Sequence, residues 1–316
     1  MPVTLDPDAS AVFNAIKEAN RPAYETLDVA EAREMSRQGR PAVQPDPPDV
    51  ASVENLQVPA PHGAIPVRIY KPLTLPNTAS APGLVFCHGG GWVIGDLESH
   101  DVVCRQIATE AGIVVVAVDY RLAPEHKFPA AVDDAIAATA WVAANAEKLG
   151  IDADRLFVGG DSAGGTLAAV VAIHARDHGG PRIRGQILVY PVTDLAMTHA
   201  SYHDPKTGVI LTHALMRWFR EHYLAGPAEI DDWRASPLRM TNLKDLPPAF
   251  VATVGADPLH DEGDEFAKRL KQAGVAVTHV DYPGQFHAFI TMGRILPKAH
   301  TLIGEIAAWV KALNQS

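Results

Sequence analysis

The chain has 316 residues, of which 47% are hydrophobic and 20% are charged, and its formal net charge is −10. This composition is ordinary for a globular protein and excludes a largely disordered one. No stretch reaches the roughly 18 consecutive apolar residues that a membrane-spanning helix needs, and the acidic excess disfavours binding to nucleic acid. The two cysteines, Cys87 and Cys104, are too few for a disulfide framework or a thiolate metal site.

The first 50 residues differ in pattern from the rest of the chain. They lack the basic and apolar regions of a secretory signal, so we expect a soluble, cytoplasmic protein without a membrane partner. Two short helices are predicted over 10–19 and 29–39, and the sequence Gly39-Arg40-Pro41 is expected to end the second one. The prolines that follow predict an extended connector over 41–48.

After residue 50, short apolar segments alternate with helical patterns. Several segments, such as 84–87 and 113–118, are apolar throughout, which is typical of strands buried on both faces. This alternation predicts an α/β fold with a mostly parallel, eight-stranded sheet flanked by helices. The predicted strands are 52–58, 65–70, 83–87, 113–119, 156–160, 185–190, 249–254 and 277–282, and the predicted helices after residue 100 are 101–111, 129–146, 163–176, 212–224, 262–273 and 301–313.

The interval between Pro191 and Pro248 has no strand pattern and is too long for an ordinary connection. Its amphipathic helix at 212–224 carries apolar side chains that we expect to face inward. Together with the N-terminal helices, this insertion is expected to form a cap over the carboxyl ends of the strands. The predicted organisation is N-terminal cap helices (1–50), a first core segment (51–192), a cap insertion (193–245) and a second core segment (246–316).

The strongest motif is Gly160-Asp161-Ser162-Ala163-Gly164, between a buried strand and a helix. Small residues two before and two after the serine permit a turn so tight that a Cβ at either place would collide with its neighbours. Such a turn exposes a serine hydroxyl at a helix N-terminus, as a nucleophile requires. A nucleotide-binding turn is the alternative, but neither a P-loop lysine nor a G-x-G-x-x-G pattern is present.

A second glycine-rich motif, His88-Gly89-Gly90-Gly91-Trp92, follows the strand at 83–87. Consecutive glycines let backbone N–H groups approach a substrate oxygen closely, and two or three such donors stabilise the oxyanion of an acyl-transfer intermediate. The candidate donors are Gly89, Gly90 and Gly91 together with Ala163, which follows the nucleophile. Among the glycines we favour Gly90 and Gly91, whereas His88 and Trp92 are expected to shape the loop.

A serine nucleophile needs an imidazole base and a carboxylate that orients it. His287 follows the last predicted strand and Asp257 follows the preceding one, which is the order expected with a serine turn of this kind. Asp194 is the alternative acid. The other late histidines are His260, His279 and His300; His279 lies inside a predicted strand, and His300 lies at the start of the final predicted helix.

These blocks together resemble the bacterial hormone-sensitive-lipase-like esterases, a family of α/β hydrolases. The resemblance covers residues 80–290 strongly. It implies the α/β-hydrolase fold with a helical cap, Ser162 as nucleophile, Asp257 as acid, His287 as base and the glycine triplet with Ala163 as oxyanion hole. His260 departs from the arginine that relatives often carry. The matching blocks are HGGGW (88–92), DYRLAPEHKFPAAVDD (119–134), GDSAGG (160–165), YPVTD (190–194), DPLHDEG (257–263) and GQFHAF (284–289).

The predicted function is a serine carboxylesterase that hydrolyses small-molecule esters of short- to medium-chain acids through an acyl-enzyme. An amide-type hydrolase, such as a formamidase or an arylamide deacylase, would use the same residues and remains open. A non-catalytic receptor on this scaffold is disfavoured because all three catalytic residues are present. The absence of an H-E-x-x-H pattern argues against a metal enzyme, so no cofactor or metal is expected. A homodimer is left open.

Overall fold

A computed structural model of the protein describes residues 4–74, 80–204 and 207–315. All eight predicted strands are present in this described part, most of them one to four residues longer than predicted. They are β1 (Ser52–Ala60), β2 (Gly63–Lys71), β3 (Ala81–Cys87), β4 (Val114–Val118), β5 (Ile151–Asp161), β6 (Ile183–Val189), β7 (Ala249–Ala256) and β8 (Val277–Phe286).

The predicted helices are also present. They are α1 (Pro7–Glu18), α2 (Val29–Val43), α3 (Asp101–Ala111), α4 (Ala130–Ala144), α5 (Ala146–Leu149), α6 (Ala163–His178), α7 (His213–Tyr223), α8 (His260–Gln272) and α9 (Lys298–Gln315). Among the α-helices of the described residues, the one addition is α5, a single turn that follows α4 after Asn145. None of the helices in the described residues is long and apolar enough to cross a membrane.

The strands form a single sheet in the order β1-β2-β4-β3-β5-β6-β7-β8. Only β2 runs against its neighbours, and all pairs from β4 to β8 are parallel. Every residue of β3, β4 and β7 is buried, as expected for strands that helices cover on both faces. Helices α3 and α9 pack on one face, and α4, α6 and α8 pack on the other. The sheet therefore brings the carboxyl ends of β3, β5, β7 and β8 to the same edge.

The end of α2 contradicts the prediction. The helix continues through Pro41 to Val43, so the residues around Gly39 do not end it. A proline lacks one helical N–H, but near a helix end this loss removes a single hydrogen bond. Contacts with the core hold the last turn in place, because Arg40 forms two hydrogen bonds with Asp96 at 2.7 and 2.8 Å and Gln44 donates to the carbonyl of Ser99.

The insertion between β6 and β7 contains α7 and contains no strand among its described residues. As predicted, the apolar side of α7 faces inward, since Leu215, Met216, Trp218, Phe219 and Tyr223 are all buried. Whether α1, α2 and this insertion act as a cap stays a prediction.

Candidate active site

Ser162 occupies the sharp turn between β5 and α6. Its backbone has φ 55° and ψ −121°, a conformation that residues other than glycine rarely adopt. The flanking glycines explain how the turn fits. A Cβ at Gly160 or at Gly164 would collide with the carbonyl oxygen of Cys87 at the end of β3. The turn packs so closely against the neighbouring strand that both positions require small residues, as predicted.

Three predicted site residues meet at the carboxyl edge of the sheet. His287 Nε2 lies 2.9 Å from Ser162 Oγ, and His287 Nδ1 lies 2.7 Å from Asp257 Oδ2. All three side chains are buried, with Asp257 completely inaccessible. A carboxylate can only accept a hydrogen bond, so Nδ1 carries the proton and Nε2 is free to accept the proton of the serine. This is the tautomer that a general base requires.

The strands that end at this edge position the candidate acid and the candidate base. Asp257 directly follows β7, and its second oxygen, Oδ1, accepts the N–H of Leu259 at 2.9 Å. His287 directly follows β8, and the ring of Tyr190 packs beside its imidazole with the ring centroids 4.6 Å apart. Ala288 then turns the chain away with a φ of 68°. The imidazole is thus held by a carboxylate at one end and an aromatic ring at its side.

The alternative acid and bases have other partners. Asp194 accepts a hydrogen bond from Arg239 Nε at 3.0 Å. His279 Nε2 lies 3.0 Å from Thr253 Oγ1, and His300 Nε2 lies 2.9 Å from the carbonyl of Gly293. In the described chain, the imidazole that reaches Ser162 is the one of His287.

His260 forms ion pairs away from the serine, 3.6 Å from Asp281 and 3.0 Å from Asp261. These carboxylates raise the pKa of His260 to about 9, against a smaller opposing effect of burial. His260 is therefore a charged link between α8 and β8.

Hydrogen bonds fix two carbonyl groups in the loop after β3. The carbonyl of Gly89 lies 2.8 Å from His88 Nδ1, and the carbonyl of Gly90 accepts the N–H groups of Val93 and Ile94. In a trans peptide the C=O of one residue and the N–H of the next point in opposite directions. Fixing these two carbonyls therefore directs the N–H groups of Gly90 and Gly91 to the other side of the loop.

Gly89 does not fit its predicted role. Its N–H donates to Asp161 Oδ1 at 2.9 Å, so it is not available to an oxyanion. Within residues 4–74, 80–204 and 207–315, no hydrogen bond takes the N–H of Gly90, Gly91 or Ala163. These three amides, the last at the first position of α6, are the candidate donors that remain.

A buried polar network lies behind this loop. Tyr120 donates its hydroxyl proton to the carbonyl of His88 at 2.7 Å and stacks on the His88 ring, while His100 Nε2 lies 2.9 Å from Asp161 Oδ1. Burial, together with the nearby His100, lowers the pKa of His88 to about 4, so its ring is neutral at pH 7. Burial opposes ionisation of Asp161, but the charge and hydrogen bond of His100, together with His287 and His88, lower the pKa of this carboxyl.

The sequence reasoning missed Asp161, His100 and Tyr120. Asp161 belongs to the serine motif, but no local sequence pattern indicates that its carboxylate would accept the N–H of Gly89, which lies 72 residues earlier.

Helix α7 covers the glycine loop from outside. A Cβ at Gly91 would fall within the ring of Phe219, and the indole of Trp92 stacks on Tyr223 with the ring centroids 4.2 Å apart. The buried face of α7 therefore forms a wall beside the candidate oxyanion donors. In the described chain, no group of three or more His, Cys, Asp or Glu side chains could hold a metal ion.

Comparison with known proteins agrees with this geometry. A family model described as the alpha/beta hydrolase fold matches residues 84–291, more than half of the chain. The chain belongs to the α/β hydrolases. Within this superfamily, the matches identify it as a member of the hormone-sensitive-lipase-like esterase family.

Similar proteins match this hydrolase over most of its length. An ethyl acetate hydrolase of Pseudomonas putida is 39% identical over 94% of this chain and 95% of its own. Esterase LipI of Mycobacterium tuberculosis is 44% identical over 81% of this chain and 80% of its own. The solved structure of a hyperthermophilic esterase from the archaeon Pyrobaculum calidifontis superposes with a TM-score of 0.92 at 39% identity, covering 99% of this chain and 100% of the other. The predicted fold and family are confirmed.

Proposed function

We propose that this protein is a serine carboxylesterase whose nucleophile is Ser162. The observation that carries the proposal is the continuous contact from Ser162 Oγ to His287 to Asp257, with distances of 2.9 and 2.7 Å. The relatives named as ester hydrolases support the reaction class.

In the proposed reaction, Ser162 Oγ attacks the ester carbonyl carbon while His287 Nε2 removes the hydroxyl proton. The carbonyl oxygen becomes an oxyanion, which the N–H groups of Gly90, Gly91 and Ala163 would stabilise by donating hydrogen bonds. The imidazolium is stabilised by Asp257. It returns the proton to the departing alcohol oxygen as the ester bond breaks.

The second half of the reaction reverses these roles. Water attacks the acyl-enzyme carbonyl, His287 takes a proton from the water, and a second oxyanion forms in the same place. Collapse of this intermediate releases the carboxylic acid, and the proton returns to Ser162 Oγ. Because Ala163 is the first residue of α6, the positive end of the helix dipole adds to the stabilisation of both oxyanions.

The proposed substrates are small esters of short- to medium-chain acids. The support comes from α7, whose Phe219 packs on Gly91 beside the candidate donors and so limits the space near the acyl carbon. In this proposal α1, α2 and the insertion act as a cap, and the apolar face of α7 lines a bounded pocket. The cytoplasmic location and the open question of a homodimer stay predictions from the sequence.

The test compares Ser162→Ala with wild type on p-nitrophenyl butyrate and on the anilide of the same acid. Ser162→Ala should abolish ester hydrolysis and leave the melting temperature unchanged, because Oγ contributes little packing. Ser52→Ala, at the start of the edge strand β1, is the matched control and should keep full activity. Substantial turnover by Ser162→Ala would refute the proposal. Faster cleavage of the anilide than of the ester by wild type would favour the amide-type hydrolase.

A further inference from the structure

The segment before α1 contacts β8 immediately ahead of the candidate base. Asp6 donates its backbone N–H to the carbonyl of Gly284 at 2.9 Å, and its carboxylate Oδ2 accepts a hydrogen bond from Gln285 Nε2 at 2.9 Å. The contact between Asp6 and Gln285 joins residues 279 positions apart in the chain. They lie two and three residues before His287.

Asp6 uses its side chain in an unusual way for its position. It is the N-cap residue of α1, where an aspartate ordinarily accepts an N–H of the first helical turn. Here the carboxylate accepts no such bond and is directed at β8 instead. It lies so close to Gly284 that a Cβ at that glycine would collide with Asp6 Oδ1. The helix therefore forgoes its own cap in favour of a contact with the base-bearing strand.

The contacted residues form an irregularity in β8. Val254 pairs with Tyr282 and Ala256 pairs with Phe286, so Gly255 alone lies opposite the three residues 283–285. Bulges of this kind bend a strand and redirect the side chains that follow. The first side chain beyond the paired residue Phe286 is that of His287.

Gln285 depends on Asp6 for its hydrogen bond. Its side chain is completely buried, so water cannot satisfy its amide. Within the described residues, its Nε2 donates to Asp6 Oδ2. Loss of the Asp6 carboxylate would leave a buried donor without an acceptor and would free the bulge to rearrange.

We propose that Asp6 is a positioning residue for His287, acting through Gln285 and the β8 bulge; this inference rests on the proposed function. The carboxylate holds the bulge in the shape that keeps His287 Nε2 within 2.9 Å of Ser162 Oγ. The N-terminal segment is thereby part of the structure that orients the base. It acts on the proton-transfer step and leaves substrate binding unchanged.

The test measures kcat and KM on p-nitrophenyl butyrate, and the rate at which a fluorophosphonate probe labels Ser162. Asp6→Ala and Gln285→Met should each lower kcat and the labelling rate about tenfold with KM unchanged, since small misplacements of a catalytic group cost one to two orders of magnitude. The double variant should be no slower than the slower single variant, because both remove the same contact. Asp6→Asn, which keeps an acceptor oxygen, should restore most of kcat.

Asp8→Ala is the matched control, because Asp8 is an acidic residue in the first turn of the same helix whose carboxylate accepts the adjacent N–H of Ala9. Wild-type kcat in Asp6→Ala would overturn the inference, as would an equal loss in Asp8→Ala or a failure of Asp6→Asn to recover. Because Gln285 is buried, the melting temperature of Gln285→Met is measured to verify that this variant folds. Asp6 is partly exposed, so the Asp6 variants test the same contact with less risk of unfolding. If wild type cleaves no ester but is labelled at Ser162, the proposed function fails while the labelling rates still test Asp6.

Discussion

Asp257→Asn offers the sharpest test of the acid, because the structure determines how the new amide must be oriented. Asp257 Oδ1 accepts the N–H of Leu259 and Oδ2 faces His287 Nδ1. An asparagine must keep its oxygen toward Leu259, since its NH₂ group would otherwise face another donor. Its NH₂ group then faces His287 Nδ1. That nitrogen has to become the acceptor, and the ring proton moves to Nε2.

A proton on Nε2 prevents His287 from acting as the base for Ser162. In serine proteases the same exchange of tautomers lowers kcat about 10⁴-fold, which corresponds to about 5 kcal/mol of transition-state stabilisation. We expect a loss of this order here, with a change in KM of less than about threefold, because an interaction made only in the transition state is removed.

The assay is steady-state hydrolysis of p-nitrophenyl butyrate, with the melting temperature recorded to verify folding. Asp194→Asn is the matched control. It replaces the alternative acid, which pairs with Arg239, and should stay within a few-fold of wild type. A loss smaller than about tenfold in Asp257→Asn, or a large loss in Asp194→Asn, would show that the acid is assigned wrongly.

Three further outcomes follow from the structure. The ion pair with Asp281 raises the pKa of His260 to about 9. Its contribution to the free energy of unfolding should therefore be full below about pH 6.5 and lost as the pH rises through about 9. Urea unfolding at several pH values should show a difference in free energy of unfolding between wild type and His260→Gln that shrinks as the pH rises, and a constant difference would contradict this. Across p-nitrophenyl esters from acetate to palmitate, kcat/KM should peak among the shorter chains and shift to longer ones in Phe219→Ala, whereas a steady rise to palmitate in wild type would refute a bounded pocket. Gly164→Ala should lower the free energy of unfolding by about 3 kcal/mol, because its Cβ meets the β3 backbone; Gly226→Ala, which has open space around it, is the control, and an equal effect of both would be inconsistent with this packing.

The elements that sequence reasoning located well are those with strong local patterns. The apolar segments that became β3 and β4 are buried at every residue, so their hydrophobicity alone identifies them. Gly160 and Gly164 are likewise required by local geometry, since each lies against the backbone of Cys87. At these positions the tertiary contacts demand the same residue types that the local sequence pattern shows, so the pattern alone is enough to predict the structure.

The features that sequence reasoning missed depend on contacts between distant parts of the chain. Gly89 looked equivalent to its neighbours until the structure placed Asp161 against its N–H. Pro41 looked like a helix terminator, but contacts of Arg40 with Asp96 hold the last turn of α2. The pairing of Asp6 with Gln285 could not be inferred either, because no local pattern links residues from opposite ends of the sequence.

The strand order divides the active site between regions of different local stability. Ser162 and the glycine loop follow β5 and β3, which are paired on both sides in the middle of the sheet. His287 follows β8, which is paired on one side only among the described strands and has three exposed residues among its ten. Edge elements open locally at a lower free energy than central ones. Amide hydrogen exchange should therefore be faster in β8 than in β3 and β5. On gentle warming, the protein should lose the position of the proposed base, His287, and with it turnover, while the serine turn is still folded.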